Sequence, residues 1–325
     1  MAIAKIKVKK SKSKKKNVAV LTCDDVLYGE FALIRNQGIL PLNTDQRIGV
    51  VECKKSKNIK TSQALFNALF EWTENKQHVY VSHILGKNPK KPDVKKTVKQ
   101  TKKCSAIILY IGSDVKSDTA EVVALAKAIK KRASLILCYH KTGCLLDKNL
   151  ALMADAIFLC ANRDKDAGKA LFDLMIGRGS PYARVNIDES EPYRYSFFDK
   201  ANTEYFYKGC GLSFVDIAYT NVLLSRYTAK VGEKIEVHVT VTNNSKTETC
   251  DVVQLYVTSR NNEDLMLIDS GKLVVRPLES VVVAFEIDTS QLDYSGFEDN
   301  EAYSFCACVG KSSVDVINIP FRVIF

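Results

Sequence analysis

Apolar residues follow two rhythms along the chain. Between Val18 and about Arg178, continuous apolar blocks alternate with segments of helical period. The blocks Arg47–Glu52, Val79–Leu85, Ala106–Gly112, Ser134–His140 and Ala156–Ala161 show no polar alternation, as expected for strands buried on both faces. Around and between them, Asp24–Asn36, Ser62–Thr73, Thr119–Arg132 and Asp166–Ile176 read as amphipathic helices. In Thr119–Arg132, the apolar Val122, Leu125, Ala126 and Ile129 recur at i, i+3, i+4 and i+7, one helical face. This pattern predicts a doubly wound, mostly parallel α/β sandwich.

From about Tyr219 the period falls to 2. Ile235, Val237, Val239 and Val241 alternate with Glu236, His238, Thr240 and Thr242. Further short runs follow at Val253–Val257, Leu273–Val275, Val281–Ile287, Tyr303–Val309 and Val316–Phe325. Turn residues separate them at Asn243-Asn244-Ser245, Arg260-Asn261-Asn262 and Asp299-Asn300. Short strands without intervening helices predict an all-β sandwich of roughly 100 residues. The expected organisation is a basic disordered tail over 1–17, an α/β sandwich over 18–178, an aromatic-rich linker over 179–215 and a β-sandwich over 216–325.

Charge refines this picture. The net charge of +10 resides in two places: residues 1–17 carry eight Lys and no acid, and residues 86–103 carry eight Lys and one Asp. The remainder is acidic. The first run repels itself and buries nothing, so a solubilising tail is expected. No aromatic residue interleaves its lysines, which leaves bases nothing to stack on and disfavours nucleic acid as the partner. The second run, with Val94 and Val98 at i and i+4, reads as a loop leading into a cationic helix face.

The N-terminal MAIAKIKVKKSKSKKK has charge but no apolar stretch of a secretory signal. The longest apolar runs fall far short of the ~20 residues that cross a bilayer. Ten cysteines, mostly inside apolar runs, read as buried free thiols of a reducing compartment. Together these point to a cytoplasmic protein without a membrane span.

Other chemistry is thin. His78, His83 and His140 fall at or beside strand ends, and His238 lies on the polar face of a strand. Cys138-x-His140-x3-Cys144 could mimic half a metal site, but no second Cys/His pair accompanies it. Cys138 and His140 share a strand face, though buried sheet cysteines are ordinarily packing. Cys306 and Cys308 point the same way from a strand, a poor geometry for a disulfide. No strand is followed by a phosphate-cradling glycine motif. No metal or cofactor is expected.

Six segments, in order, carry a resemblance: Phe31–Leu42 (FALIRNQGILPL) with the strand after it, Cys104–Gly112, Ala167–Gly177 (AGKALFDLMIG), Lys208–Phe214 (KGCGLSF), Asp251–Val257 (DVVQLYV) and Leu273–Phe285. Together they resemble the C-terminal part of glycoside hydrolase family 3, β-glucosidase-like enzymes. The resemblance implies an α/β sandwich domain followed by a fibronectin type III-like domain. In that family a (β/α)8 barrel comes first and holds the nucleophilic Asp and most sugar-binding residues. Here the second domain begins near residue 18, so the resemblance implies a chain without that barrel.

In many family members the acid/base is a Glu on a long loop after the strand matching Ala106–Gly112. In this chain that loop is only Ser113–Asp118, so Asp114 and Asp118 are the candidates at hand. Glu121 follows within the first helical turn. All three read more simply as solvated loop or helix-start residues. Retaining hydrolysis needs two carboxyl groups about 5–5.5 Å apart. The expectation is therefore a family 3-like protein that is not catalytic alone and has a binding or assembly role toward a protein or a carbohydrate. One alternative is a subunit of a split glycosidase, with a barrel chain docked on loops 113–118, 141–147 and 162–166; a second is a nucleic-acid-associated protein acting through its lysine runs. Leu278, in Arg276–Ser280, stands where the family usually has Gly, and the turn is expected to have changed shape. Lys208 and Cys210 likewise replace aromatic residues of the junction motif.

Overall fold

The computed structural model describes residues 28–54, 61–73, 78–84, 91–112, 115, 119–140, 147–160, 165–185, 209–259, 262–295, 297 and 302–324. They fall into two compact units, one holding residues up to 185 together with 211–214, the other holding 209–210 and the residues from Val215 onward.

The first unit is built on a six-stranded sheet. Its strands are β1 (Phe31–Asn36), β2 (Ile48–Lys54), β3 (Val79–Ile84), β4 (Ala106–Ile111), β5 (Ser134–Tyr139) and β6 (Ala156–Cys160). Spatial order is β1-β6-β5-β4-β2-β3, and all neighbours are parallel except β1, which runs antiparallel to β6. The helices are α1 (Thr61–Thr73), α2 (Lys91–Gln100), α3 (Ala120–Lys130), α4 (Lys148–Met153) and α5 (Lys165–Met175). Packing of α1 on α5, and of α3 on both α2 and α4, makes two helical layers.

Strand alternation explains both layers. Ile48, Val50, Ile108, Tyr110, Ile136, Cys138 and Phe158 join Leu65 and Leu69 of α1 and Leu171, Leu174 and Met175 of α5 in one core. Their neighbours Ile107, Leu109, Leu135, Leu137, Ile157 and Leu159 face the other way and are equally buried. So are the four α3 residues Val122, Leu125, Ala126 and Ile129 that marked its apolar face. Gly168 lets α5 approach α1, since a Cβ there would meet Thr61 O at 2.4 Å.

One expected helix is not a helix. Phe31–Asn36 is the antiparallel edge strand β1, with Phe31 paired to Cys160 and Asn36 to Ala156. Local sequence permits a helix in FALIRN. Pairing with β6, far along the chain, fully buries Phe31, Ala32 and Leu33 and decides otherwise. Residues 24–27 lie outside the described residues. So do Asp114, Asp118, residues 1–17 and the aromatic-rich stretch 186–208.

The second unit is a β-sandwich. One sheet has the order β11-β10-β13-β14-β8 and the other β12-β9-β7. The strands are β7 (Ile217–Leu224), β8 (Thr228–Lys230), β9 (Lys234–Asn243), β10 (Thr249–Ser259), β11 (Asn262–Val275), β12 (Ser280–Asp288), β13 (Tyr303–Gly310) and β14 (Val316–Ile324). Val237, Val239, Val253, Leu255, Val283, Phe285, Phe305 and Val309 meet between the sheets, the inward half of the period-2 pattern. Asn243 closes the β9–β10 turn: its carboxamide oxygen accepts from Ser245 N–H at 2.9 Å and its amide donates to Thr247 O at 2.8 Å.

The turn at Leu278 differs from expectation. Leu278 keeps a left-handed φ of 57° at the third position of Arg276–Glu279, with Glu279 N–H donating to Arg276 O at 3.1 Å. This is a turn of the type that ordinarily places Gly there. The conformation survives although the glycine does not.

Candidate functional site

A doubly wound sheet opens a crevice at the carboxyl ends of its strands, where the winding direction reverses. Here the chain winds from β2 outward to β3 and then returns to β4, so the reversal lies between β2 and β4. Glu52 and Tyr110 are register partners across that junction. Both are completely buried.

Glu52 interrupts an otherwise apolar strand and is well provided for. Ser62, from the first turn of α1, donates its hydroxyl to one carboxylate oxygen; Tyr80 Oη, from β3, donates to the other at 2.9 Å. Tyr110 adjoins Thr61, and burial pushes its phenol well above the ordinary range. His140, just past β5, packs edge-on against Tyr110 with ring centroids 6.5 Å apart and is likewise buried. Residues of α1, β2, β3 and β4, with His140 just past β5, thus converge on a buried polar patch beneath the strand ends. Sequence reading passed over Glu52; its signal was an acid inside the apolar run Ile48–Cys53.

Glu121 is the opposite case. It sits in the first turn of α3 and is only 8% exposed, which corrects the expectation of a solvated helix start. Among the described residues, neither of its carboxylate oxygens has a hydrogen-bond donor. Its neighbour is Cys53, on the other face of β2 from Glu52. That thiol is pushed up to about 12, first by burial and then by the carboxylates of Glu52 and Glu121. The two acids therefore flank β2 on opposite faces of the sheet, near its carboxyl end. The loop holding Asp114 and Asp118 lies outside the described residues, apart from Val115, which is buried and donates its N–H to Gly112 O at 3.0 Å.

The remaining candidates separate cleanly. His78 is a clasp at the opposite end of the sheet: Nδ1 accepts from Ile48 N–H at 3.1 Å and Nε2 lies 2.8 Å from Thr73 Oγ1. Cys138 faces the core beside Cys160, and burial raises its thiol. Cys144 and the side chain of His83 are outside the described residues. His238 is partly exposed, 3.1 Å from Glu236. On β13 the Cys308 thiol hydrogen-bonds Cys306 and lowers it to about 7. Within the second lysine run, Lys91–Gln100 forms α2, where Lys95, Lys96 and Lys99 are exposed while Val94 and Val98 are half-buried.

Both glycines of the junction motif are required by close approach. A Cβ on Gly209 would lie 1.9 Å from Gln254 Oε1, and one on Gly211 would lie 2.4 Å from Ala183 O.

Comparison with known proteins agrees with this architecture. No family model matches the chain. It is 22% identical over 272 residues to a lysosomal beta glucosidase of Dictyostelium discoideum, covering 72% of this chain and 33% of that one. It is 25% identical over 235 residues to a periplasmic beta-glucosidase of Salmonella typhimurium, covering 63% and 30%. Among solved structures, the beta-glucosidase of Listeria innocua in complex with glucose superposes with a TM-score of 0.72 at 19% identity, covering 92% of this chain and 49% of that one. The GH3 beta-glucosidase of Bifidobacterium adolescentis gives 0.69 at 18% identity, covering 92% and 52%. The chain resembles the C-terminal part of family 3 β-glucosidases. This family 3-like chain spans about a third of the length of its sequence relatives and about half of the solved structures. Its α/β sandwich and β-sandwich are the fold of that part. Among the described residues, no helix is long and apolar enough to cross a membrane.

Proposed function

We propose that this chain acts as a family 3-like binding or assembly module, engaging its partner at the β2/β4 end of the α/β sheet and hydrolysing no glycoside by itself. The observation that carries this reading is the contrast at that end. Glu52 is consumed by Ser62 and Tyr80, which leaves Glu121 as the described carboxylate with capacity for a new donor. One such group is too few for a retaining glycosidase, which needs a pair. A protein surface or a carbohydrate presenting hydroxyl or N–H donors meets the requirement. No disulfide joins the eight described cysteines, which supports a reducing, cytoplasmic setting.

A second reading is favoured by Glu121 in particular. If a separate barrel chain supplies a nucleophile, we assign Glu121 as the carboxyl group that acts as the acid, since it is buried near the carboxyl end of the sheet and has no donor among the described residues.

Co-purification of the native protein with mass spectrometry of bound chains, followed by assays on aryl β-glucosides, tests both readings. The first expects no hydrolysis by the chain alone and loss of the partner in Glu121→Leu. Hydrolysis by the isolated chain would overturn it. The second expects a barrel-type partner and an activity that falls at least ~100-fold in Glu121→Gln while surviving Asp114→Asn with Asp118→Asn.

A further inference from the structure

The β-sandwich brings two thiols together on one strand. In β13, Tyr303, Phe305, Ala307 and Val309 face the core between the sheets. Cys306 and Cys308 therefore share the opposite face. Each thiol donates to a nearby backbone carbonyl, Cys308 Sγ to Cys306 O at 3.6 Å and Cys306 Sγ to Ala307 O at 3.9 Å. Cys308 is buried and Cys306 half-exposed. On β14, the residues opposite them are Asn318 and Pro320, both exposed, so the face is open to solvent along that side.

Geometry decides what such a pair can hold. Side chains two residues apart on a strand start about 6.7 Å from each other, whereas a disulfide needs Cβ atoms about 3.5–4.5 Å apart. The backbone of β13 therefore resists direct S–S closure. An ion between the sulfurs bridges that gap: two metal–thiolate bonds of about 2.3 Å set the sulfurs up to ~4.5 Å apart.

The donor set then selects the ion. Across the neighbouring strands, the register partners are Tyr256 and Thr258 on one side and Asn318 and Pro320 on the other. None brings an imidazole, a carboxylate or a third thiol. No group of three or more such donors is arranged for a metal among the described residues. Structural zinc takes four ligands. Two soft sulfurs with no carboxylate or imidazole at the register positions beside them suit a soft cation content with two ligands.

We propose that Cys306 and Cys308 form a two-thiolate site for copper(I) on the outer face of β13. Binding makes two S–Cu bonds and releases the thiol protons to solvent; no electron moves, so no oxidant or reductant is required.

The test is anaerobic titration of the reduced full-length chain with copper(I) against a chromophoric copper(I) chelator. The wild type should hold one equivalent that Cys306→Ser and Cys308→Ser each bind at least 100-fold more weakly, while Cys250→Ser leaves it unchanged. Equal affinity and stoichiometry in wild type and Cys306→Ser would overturn the site. A second readout needs no variant. The tryptic peptide 273–311 contains these two cysteines and no other. One equivalent of copper(I) should shield both from iodoacetamide in the native protein, and undiminished labelling of Cys306 would equally refute the proposal.

Discussion

Glu52 and Glu121 lie on either side of the same strand, are buried to nearly the same degree, and are treated in opposite ways. Glu52 receives hydroxyl donors from α1 and β3. Glu121 receives none among the described residues. Burial alone therefore says little about what an acid does. A buried polar group with its partners in place holds the fold together, and one without them is a cost that persists for a reason outside the fold.

Removing each acid gives the sharpest contrast. Glu52→Ala strips the acceptor from Ser62 and Tyr80 and opens a cavity under the sheet. It should destabilise the α/β unit by about 3 kcal/mol, read by urea unfolding followed through α/β amide exchange. Glu121→Leu should act in the reverse direction, stabilising the same amides by about 1 kcal/mol, because an apolar side chain of similar size needs no donor. If Glu121→Leu instead costs as much as Glu52→Ala, the contrast between them fails. If it stabilises while weakening partner capture, the carboxylate is retained for binding at the expense of stability.

The sequence disclosed this fold unevenly. Continuous apolar blocks announced β2 to β6 because strands covered on both faces have no polar period to conceal them. The i, i+3, i+4, i+7 residues of α3 are all buried, as their spacing required. FALIRN was misread because an edge strand is defined by its partner, and β6 lies more than a hundred residues away. Glu121 was misread for a related reason. An acid in a first helical turn is ordinarily a solvated dipole partner, and only the packing of α3 beside Cys53 buries it. Glu52 was legible in principle, as the one charge inside an apolar run, but its donors Ser62 and Tyr80 come from elements that local sequence does not connect to it.

His78 extends the comparison to a group satisfied in one protonation state only. Burial holds it below its ordinary value of 6.5, and the Ile48 N–H needs Nδ1 unprotonated to accept it. A folded-state value below the unfolded one means that the unfolded chain binds more protons in that window. Its contribution is therefore fully present above pH 6.5 and is lost as pH falls through the lower, folded value. The urea midpoint of the α/β unit should drop between pH 7.5 and 5 more steeply in wild type than in His78→Gln, whose carboxamide oxygen accepts the same N–H without titrating. Parallel pH profiles would remove His78 from the group of satisfied buried residues.

Leu278 carries the argument from side chains to the backbone. Its left-handed φ costs an L-residue about 1–2 kcal/mol, and at 72% exposure its side chain recovers little by packing. The turn nonetheless closes, because Pro277 fixes the second position and Arg276 and Glu279 exchange hydrogen bonds: Glu279 N–H to Arg276 O, and Arg276 N–H to the Glu279 carboxylate at 3.3 Å. Leu278→Gly should remove the strain while adding some freedom to the unfolded chain, a net gain of about 0.5 kcal/mol seen as slower exchange of β11 and β12 amides. Such a gain would class Leu278 with Glu121, as a local cost the fold does not need. A loss would mean that the exposed side chain is already engaged within the β-sandwich unit, and that the cost at Glu121, uncompensated among the described residues, is a property of the α/β sheet end and not of the chain in general.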